Sequence, residues 1–238
     1  ILQSIPIYIL ISEGVYLIDL GAYDHIGILS LGSFNKIFSL LCCLLIINAC
    51  NYSDGTDGQL SIVTVIIIFS YFIFLFFLKE IKLNFLLIII LPFLIFSFFN
   101  IFGRKYKIFL GDSGSNLAGF LISFISIIMY KVYDLHPAVI MWSLAYLVFE
   151  FLSVNIFRYQ NKKHIFEAGQ DHLHHLLMRK YNCSHIFILL VISFINISFI
   201  VIGLIIFSHF DKEITLLLYF VIFLIYFYLR YLIFKKIN

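Results

Sequence analysis

Charge is what this sequence has least of. Thirteen acidic and 16 basic side chains account for 12% of its 238 residues, where soluble domains carry about 25%, and that scarcity excludes a soluble globular enzyme. Cysteine is also sparse: Cys42, Cys43, Cys50 and Cys183 match no metal-ligand spacing and read as packing residues. No internal repeat, linker or second soluble domain is visible. The net charge of +3 does not make a nucleic-acid binder, because the basic residues lie in short clusters between apolar runs instead of along one face. Neither a charged leader nor a cleavage site precedes the first apolar run, and residue 1 is Ile, so the chain is expected to be N-terminally incomplete.

What is abundant is hydrophobic length. A hydrophobic share of 63% and a mean hydropathy of +1.06 describe an integral membrane protein. Crossing a bilayer takes roughly 17 to 25 mostly apolar residues. By that measure eight spans are expected, near 1–20, 34–50, 60–78, 84–102, 113–130, 137–157, 185–207 and 213–234, the first interrupted by Pro6, Glu13 and Gly14. Many of these runs are rich in Phe, Ile and Tyr, but in lipid only a helix satisfies so long an uninterrupted backbone. The fold class expected is an all-α, polytopic transmembrane bundle forming one domain over 1–238.

The connections then alternate between the two faces. One set carries Arg104, Lys105, Lys107, Arg158, Lys162, Lys163, Arg179 and Lys180, joined by Arg230, Lys235 and Lys236 at the C-terminus; the other has Lys36, Lys79, Lys82, Lys131 and Lys212. The positive-inside rule places 51–59, 103–112, 158–184 and the C-terminus in the cytoplasm. His25, His136, His164, His185 and His209 read as interfacial or loop residues.

Three polar stretches stand out on that side, each two crossings from the next. In the first, NACNYSDGTDG, Asp54 and Asp57 are three apart, each followed by glycine, with Asn51 just before them. Helix capping accounts for one aspartate more easily than for two, and ionisable groups near membrane depth point by default to function. The second, FLGDSGS, sets Asp112 and Ser113 at a helix entry behind Phe109. Exposed amides there can hold an anion, and a carboxylate among them invites magnesium bridging to phosphate, although a simple cap explains the same residues. The third, AGQDHLHH, contains His172, His174 and His175, followed by Arg179 and Lys180. Phosphate contact or proton tuning fits these better than a zinc site completed by Asp171. Glu150, inside the sixth expected span, is either protonated or paired.

In this order, NxxDGxDG, FLGDSGS and DHLHH resemble the motifs of the polyprenyl-phosphate N-acetylhexosamine-1-phosphate transferases, glycosyltransferase family 4, over nearly the whole chain. The His-x-His-His form resembles the members using a UDP-N-acetylated hexosamine. The resemblance implies a multi-pass enzyme of the plasma (bacterial inner) membrane whose cytoplasmic site moves sugar 1-phosphate from a UDP-N-acetylhexosamine to a polyprenyl phosphate, releasing UMP. It further implies Mg2+, with Mn2+ as the alternative ion, held by Asn51 and Asp112. Asp54, Asp57, His172, His174 and His175 would be catalytic, and Phe109, Ser113 and Arg179 would contact the sugar nucleotide. The family's adjacent aspartate pair does not occur in this sequence; three further spans and that pair are expected upstream, about eleven spans in all. A transporter or flippase, and a truncated member without catalysis, are the alternatives. Nucleic acid is excluded as a partner, and a homodimer is left open.

Overall fold

The computed structural model describes residues 3–77, 84–162, 164, 169 and 171–235. Lys79, Lys82, Lys163 and Lys236 of the charge balance lie outside the described residues, as do Ala168 and Gln170 of the third motif and the side chains of Arg104 and Lys180. The chain runs through α1 (Ser4–Ser12), an antiparallel hairpin of β1 (Asp19–Tyr23) and β2 (Gly27–Ser30), α2 (Asn35–Ser53), α3 (Gln59–Phe77) and α4 (Asn84–Phe102). It continues with α5 (Gly111–Tyr133), α6 (Pro137–Ser143), α7 (Ala145–Gln160), α8 (Leu173–Tyr181), α9 (His185–His209) and α10 (Lys212–Lys235).

Among the described residues six helices are long and apolar enough to cross a membrane, or seven spans if α6 and α7, bent by 68° at their break, are taken together as one. Eight were expected. The difference is the first run: α1 has nine residues, about 14 Å of helix against a hydrocarbon core of about 30 Å. The chain then turns into the hairpin, where Gly21 and Gly27 adopt φ of +100° and +78°, backbone that glycine enters without penalty. The 137–157 run is also not one straight helix. It breaks at Leu144, although the sequence offered no sign of a broken span, and the α6 half is fixed by Trp142, packed so closely on α9 that a Cβ on Gly203 would lie 2.2 Å from its ring.

Small residues let the helices approach, as expected where lipid supplies no hydrophobic drive between them. A Cβ on Gly119 of α5 would sit 2.6 Å from the Ile47 Cα of α2. Hydroxyls tie the interior: Tyr71 to Ser126 at 2.9 Å between α3 and α5, and Ser97 to Ser61 at 2.8 Å between α4 and α3.

The ends of the bundle are distinct. At one, the Lys212 backbone N–H donates to Asp24 (2.9 Å), the His25 N–H to Glu213 (2.6 Å), the Asp19 N–H to the Tyr130 hydroxyl (3.2 Å), and the Lys131 ammonium to the Gly14 carbonyl. The hairpin thus clasps the α5–α6 and α9–α10 connections. The connections 54–58 and 103–110 gather at the opposite end, together with His172 and α8, so the described parts of all three polar motifs lie there.

Candidate functional site

The first motif begins where α2 stops. Asn51 is half-buried in the last turn of α2, and its carbonyl accepts the Asp54 N–H at 3.3 Å. The chain turns through Gly55 and reaches Gly58 at φ +74°, from which α3 starts. Asp54 reaches solvent, yet its carboxyl is pushed up to about 6, first by burial against the protein and then by the charge of Asp112. The first motif therefore lies within electrostatic reach of the second. Asp112 itself is exposed in the first turn of α5, where a carboxylate is favoured by the helix dipole.

Asp57 points elsewhere. Its carboxylate pairs with the Lys107 ammonium at 2.7 Å, and that ammonium also stands over the Phe109 ring, 5.3 Å from its centroid. Phe109 is 74% exposed, an uncovered aromatic face at the mouth of the site. Ser113 is exposed on the same helix entry.

The two loops are held together by Asn100, which the sequence reading passed over. Its side chain accepts the Gly58 N–H and donates to the Ile108 carbonyl, both at 2.5 Å. A buried asparagine near the end of an apolar span was the available signal.

The third motif closes over the first. The 158–184 segment, expected as a loop, forms the nine-residue α8 carrying His174 and His175. His174 is 1% exposed and lies against Gly55, where a Cβ would come within 1.9 Å of its Nε2. Burial, then the neighbouring His175 and His172, lower its pKa to about 3, so this imidazole is neutral at pH 7. His172, His174 and His175 form a group with ring centroids 4.2 to 6.4 Å apart. His175 is the one that reaches towards solvent, lowered by burial and by the charges of His172 and Arg179; Arg179 is exposed one turn further on. His172 instead faces inward, edge-on to Tyr52 at 5.1 Å and 3.8 Å from Glu150.

Glu150 is paired. It meets the Arg230 guanidinium at 3.2 Å and accepts the Tyr226 hydroxyl at 2.7 Å. Arg158 pairs with Asp171 at 3.4 Å and stands over the Tyr52 ring at 5.5 Å. Arg158 and Arg230, counted as cations of the inner face, are each 2% exposed and belong to this buried network. Among the described residues no group of three or more His, Cys, Asp or Glu is arranged to hold a metal, so the zinc arrangement of the histidines with Asp171 is not formed. A magnesium ion asks for less, one or two carboxylates with water and substrate phosphates completing the shell. The two mutually repelling carboxylates of Asp54 and Asp112 offer the hard oxygen donors and surplus negative charge that such an ion offsets, with Asn51 three residues before Asp54 in the last turn of α2. The motif carboxylates lie at helix ends, not at midspan, where secondary transporters bind their ions.

Comparison with known proteins bears on the family. The undecaprenyl-phosphate alpha-N-acetylglucosaminyl 1-phosphate transferase of Escherichia coli O157:H7 is 28% identical over 232 residues, covering 94% of this chain and 63% of the relative. Proteins of the same name from Yersinia pestis and Pasteurella multocida are 26% identical over 171 residues (70% of this chain, 47% of the relative) and 34% identical over 80 residues (33% and 22%). The chain thus spans less than two thirds of the length of these relatives. The model of glycosyl transferase family 4 matches residues 1–130, which include Asn51, Asp54, Asp57 and Asp112. Matched over more than half of its length, the chain belongs to glycosyl transferase family 4.

Proposed function

We propose that this protein transfers an N-acetylhexosamine 1-phosphate from its UDP derivative to a polyprenyl phosphate at the cytoplasmic face of the plasma membrane. The observation that carries the reading is the meeting of the three motifs, with Asp54 in the field of Asp112 and Gly55 against His174. The names of the relatives and the excess of basic residues in the connections on that side support it. In the reaction an oxygen of the lipid phosphate bonds to the sugar-bearing phosphorus of the UDP-sugar. The bond from that phosphorus to the bridging oxygen breaks, and the bridging oxygen leaves with UMP.

Such a transfer asks mainly for positioning and for neutralisation of phosphate charge. Asp112 and Asn51 would hold a magnesium ion, manganese being the alternative, with Asp54 beside them; when bound, it neutralises the diphosphate oxygens. Phe109 offers its open face to the uracil. Lys107, tied to Asp57, keeps the 103–110 connection against the first motif and adds positive charge at the mouth. His175 and Arg179, which reach towards solvent, would meet the phosphates, while neutral, buried His174 would seal the interior side and exclude water. Ser113 contributes a hydroxyl beside the amides of the α5 entry.

The test is isotope exchange. Membranes containing the full-length protein should exchange labelled UMP into UDP-N-acetylhexosamine, and chelation of divalent cations should stop it. Asp112→Asn should abolish exchange; exchange that persists in this variant would refute the metal role. Vectorial uptake into vesicles without release of UMP would replace the transferase by a transporter.

A further inference from the structure

Glu150 has no part in the chemistry above, yet the arrangement around it is specific. From within α7 it reaches α8 and α10 at once. Its Oε1 accepts the Leu173 N–H at 2.8 Å, and its Oε2 accepts the Tyr226 hydroxyl at 2.7 Å and the Arg230 Nε–H at 3.2 Å. Arg230 continues to the Asp171 carbonyl, just before α8. The first residue of a helix needs an acceptor for its N–H, and His172 at the N-cap does not supply one from its side chain. Glu150 does so from another helix. It is 2% exposed, and a carboxylate buried that deeply is tolerated only with such partners.

We infer that Glu150 is a positioning residue for the transfer reaction: through Leu173, Arg230 and Tyr226 it fixes the start of α8 and so sets the histidine motif against the aspartate motif. The chain of contacts is continuous. Glu150 holds Leu173, the next residue is His174, and His174 abuts Gly55, the neighbour of Asp54. The catalytic consequence rests on the transferase reading; the structural half does not.

The experiment uses the full-length protein with native cysteines replaced and Leu176→Cys added, since Leu176 is fully buried on α8. Thiol labelling at 176 reports whether α8 is seated, and UMP exchange gives kcat and KM. Glu150→Gln should raise labelling at least about tenfold and lower kcat about 100-fold, the scale of a 1 Å misplacement, with KM for the UDP-sugar nearly unchanged. Tyr226→Phe, which removes one hydrogen bond with little change in volume, should shift both in the same direction by a smaller factor, and stands in should Glu150→Gln fail to fold. Unchanged labelling in both variants would overturn the inference. Raised labelling with wild-type kcat would also overturn it. Should the parent protein show no UMP exchange, the transferase reading fails; labelling alone then decides, a rise supporting the seating of α8 by Glu150 and no rise overturning it.

Discussion

Gly55→Ala is the smallest change that presses on the contact between the first and third motifs. The added Cβ would lie 1.9 Å from His174 Nε2 and 2.2 Å from Cε1, so the ring must retreat about 1.5 Å to reach ordinary contact at 3.4 Å. It has little room, because His174 is 1% exposed and the rings of His172 and His175 lie 5.6 and 4.2 Å from it. Overpacking of this kind costs about 1 to 3 kcal/mol. If α8 shifts to relieve it, the motifs separate by an amount that costs about 100-fold in rate, equivalent to about 2.7 kcal/mol of barrier. The assay is UMP exchange by the full-length protein beside thermal unfolding in detergent. A variant with both the kcat and the Tm of wild type would show that His174 and Gly55 do not meet.

Asn100→Leu strands the buried Gly58 N–H and should cost about 1 to 3 kcal/mol, read as a lower Tm, with reduced exchange because both motif loops lose their tie. Asp54 sets a pH dependence. Its folded pKa of about 6 lies above the usual 3.8, so the stability this group contributes is present below 3.8 and is lost as pH rises through about 6. Ionised Asp54 adds to the negative charge that magnesium on Asp112 and Asn51 offsets; the stabilising effect of the ion on Tm should therefore be larger at pH 7 than at pH 5, and an equal effect at both would contradict the placement of Asp54. The His174 shift has the opposite sign: its stability is present above 6.5 and is lost as pH falls towards about 3, so cation-free protein should lose α8 protection in hydrogen exchange over that range. In Asp112→Asn, stabilisation by UMP should no longer respond to magnesium, whereas the wild-type response should vanish on chelation.

Much of this site was legible because its pieces are local. Paired Asp-Gly steps at the end of an apolar run, the FLGDSGS helix entry and the histidine cluster are each contained within about ten residues, and counting spans places them on one face. The hairpin was not legible: 21–33 falls in the connection between the first two expected spans, and strands of five and four residues carry too few positions for an alternation to stand out. Neither was the break at Leu144, which no proline or glycine marks and which tertiary packing of Trp142 on Gly203 supports. The pairings of Glu150 with Arg230 and of Asn100 with both motif loops join residues 8 to 80 positions apart, beyond any periodicity. Arg158 and Arg230 were counted as inner-face cations because charge near a span end normally marks an interface, and only their buried partners reveal otherwise.

In the proposed enzyme residues 54 and 112 share one pocket on one side of the bilayer. Single cysteines at these positions, in a full-length protein without its native cysteines, can be labelled from either face with a membrane-impermeant thiol reagent, and the double variant treated with a short thiol-to-thiol cross-linker. Labelling from the same face and a cross-link between the two are the predicted result. Labelling from opposite faces, across a hydrocarbon core of about 30 Å, would contradict it.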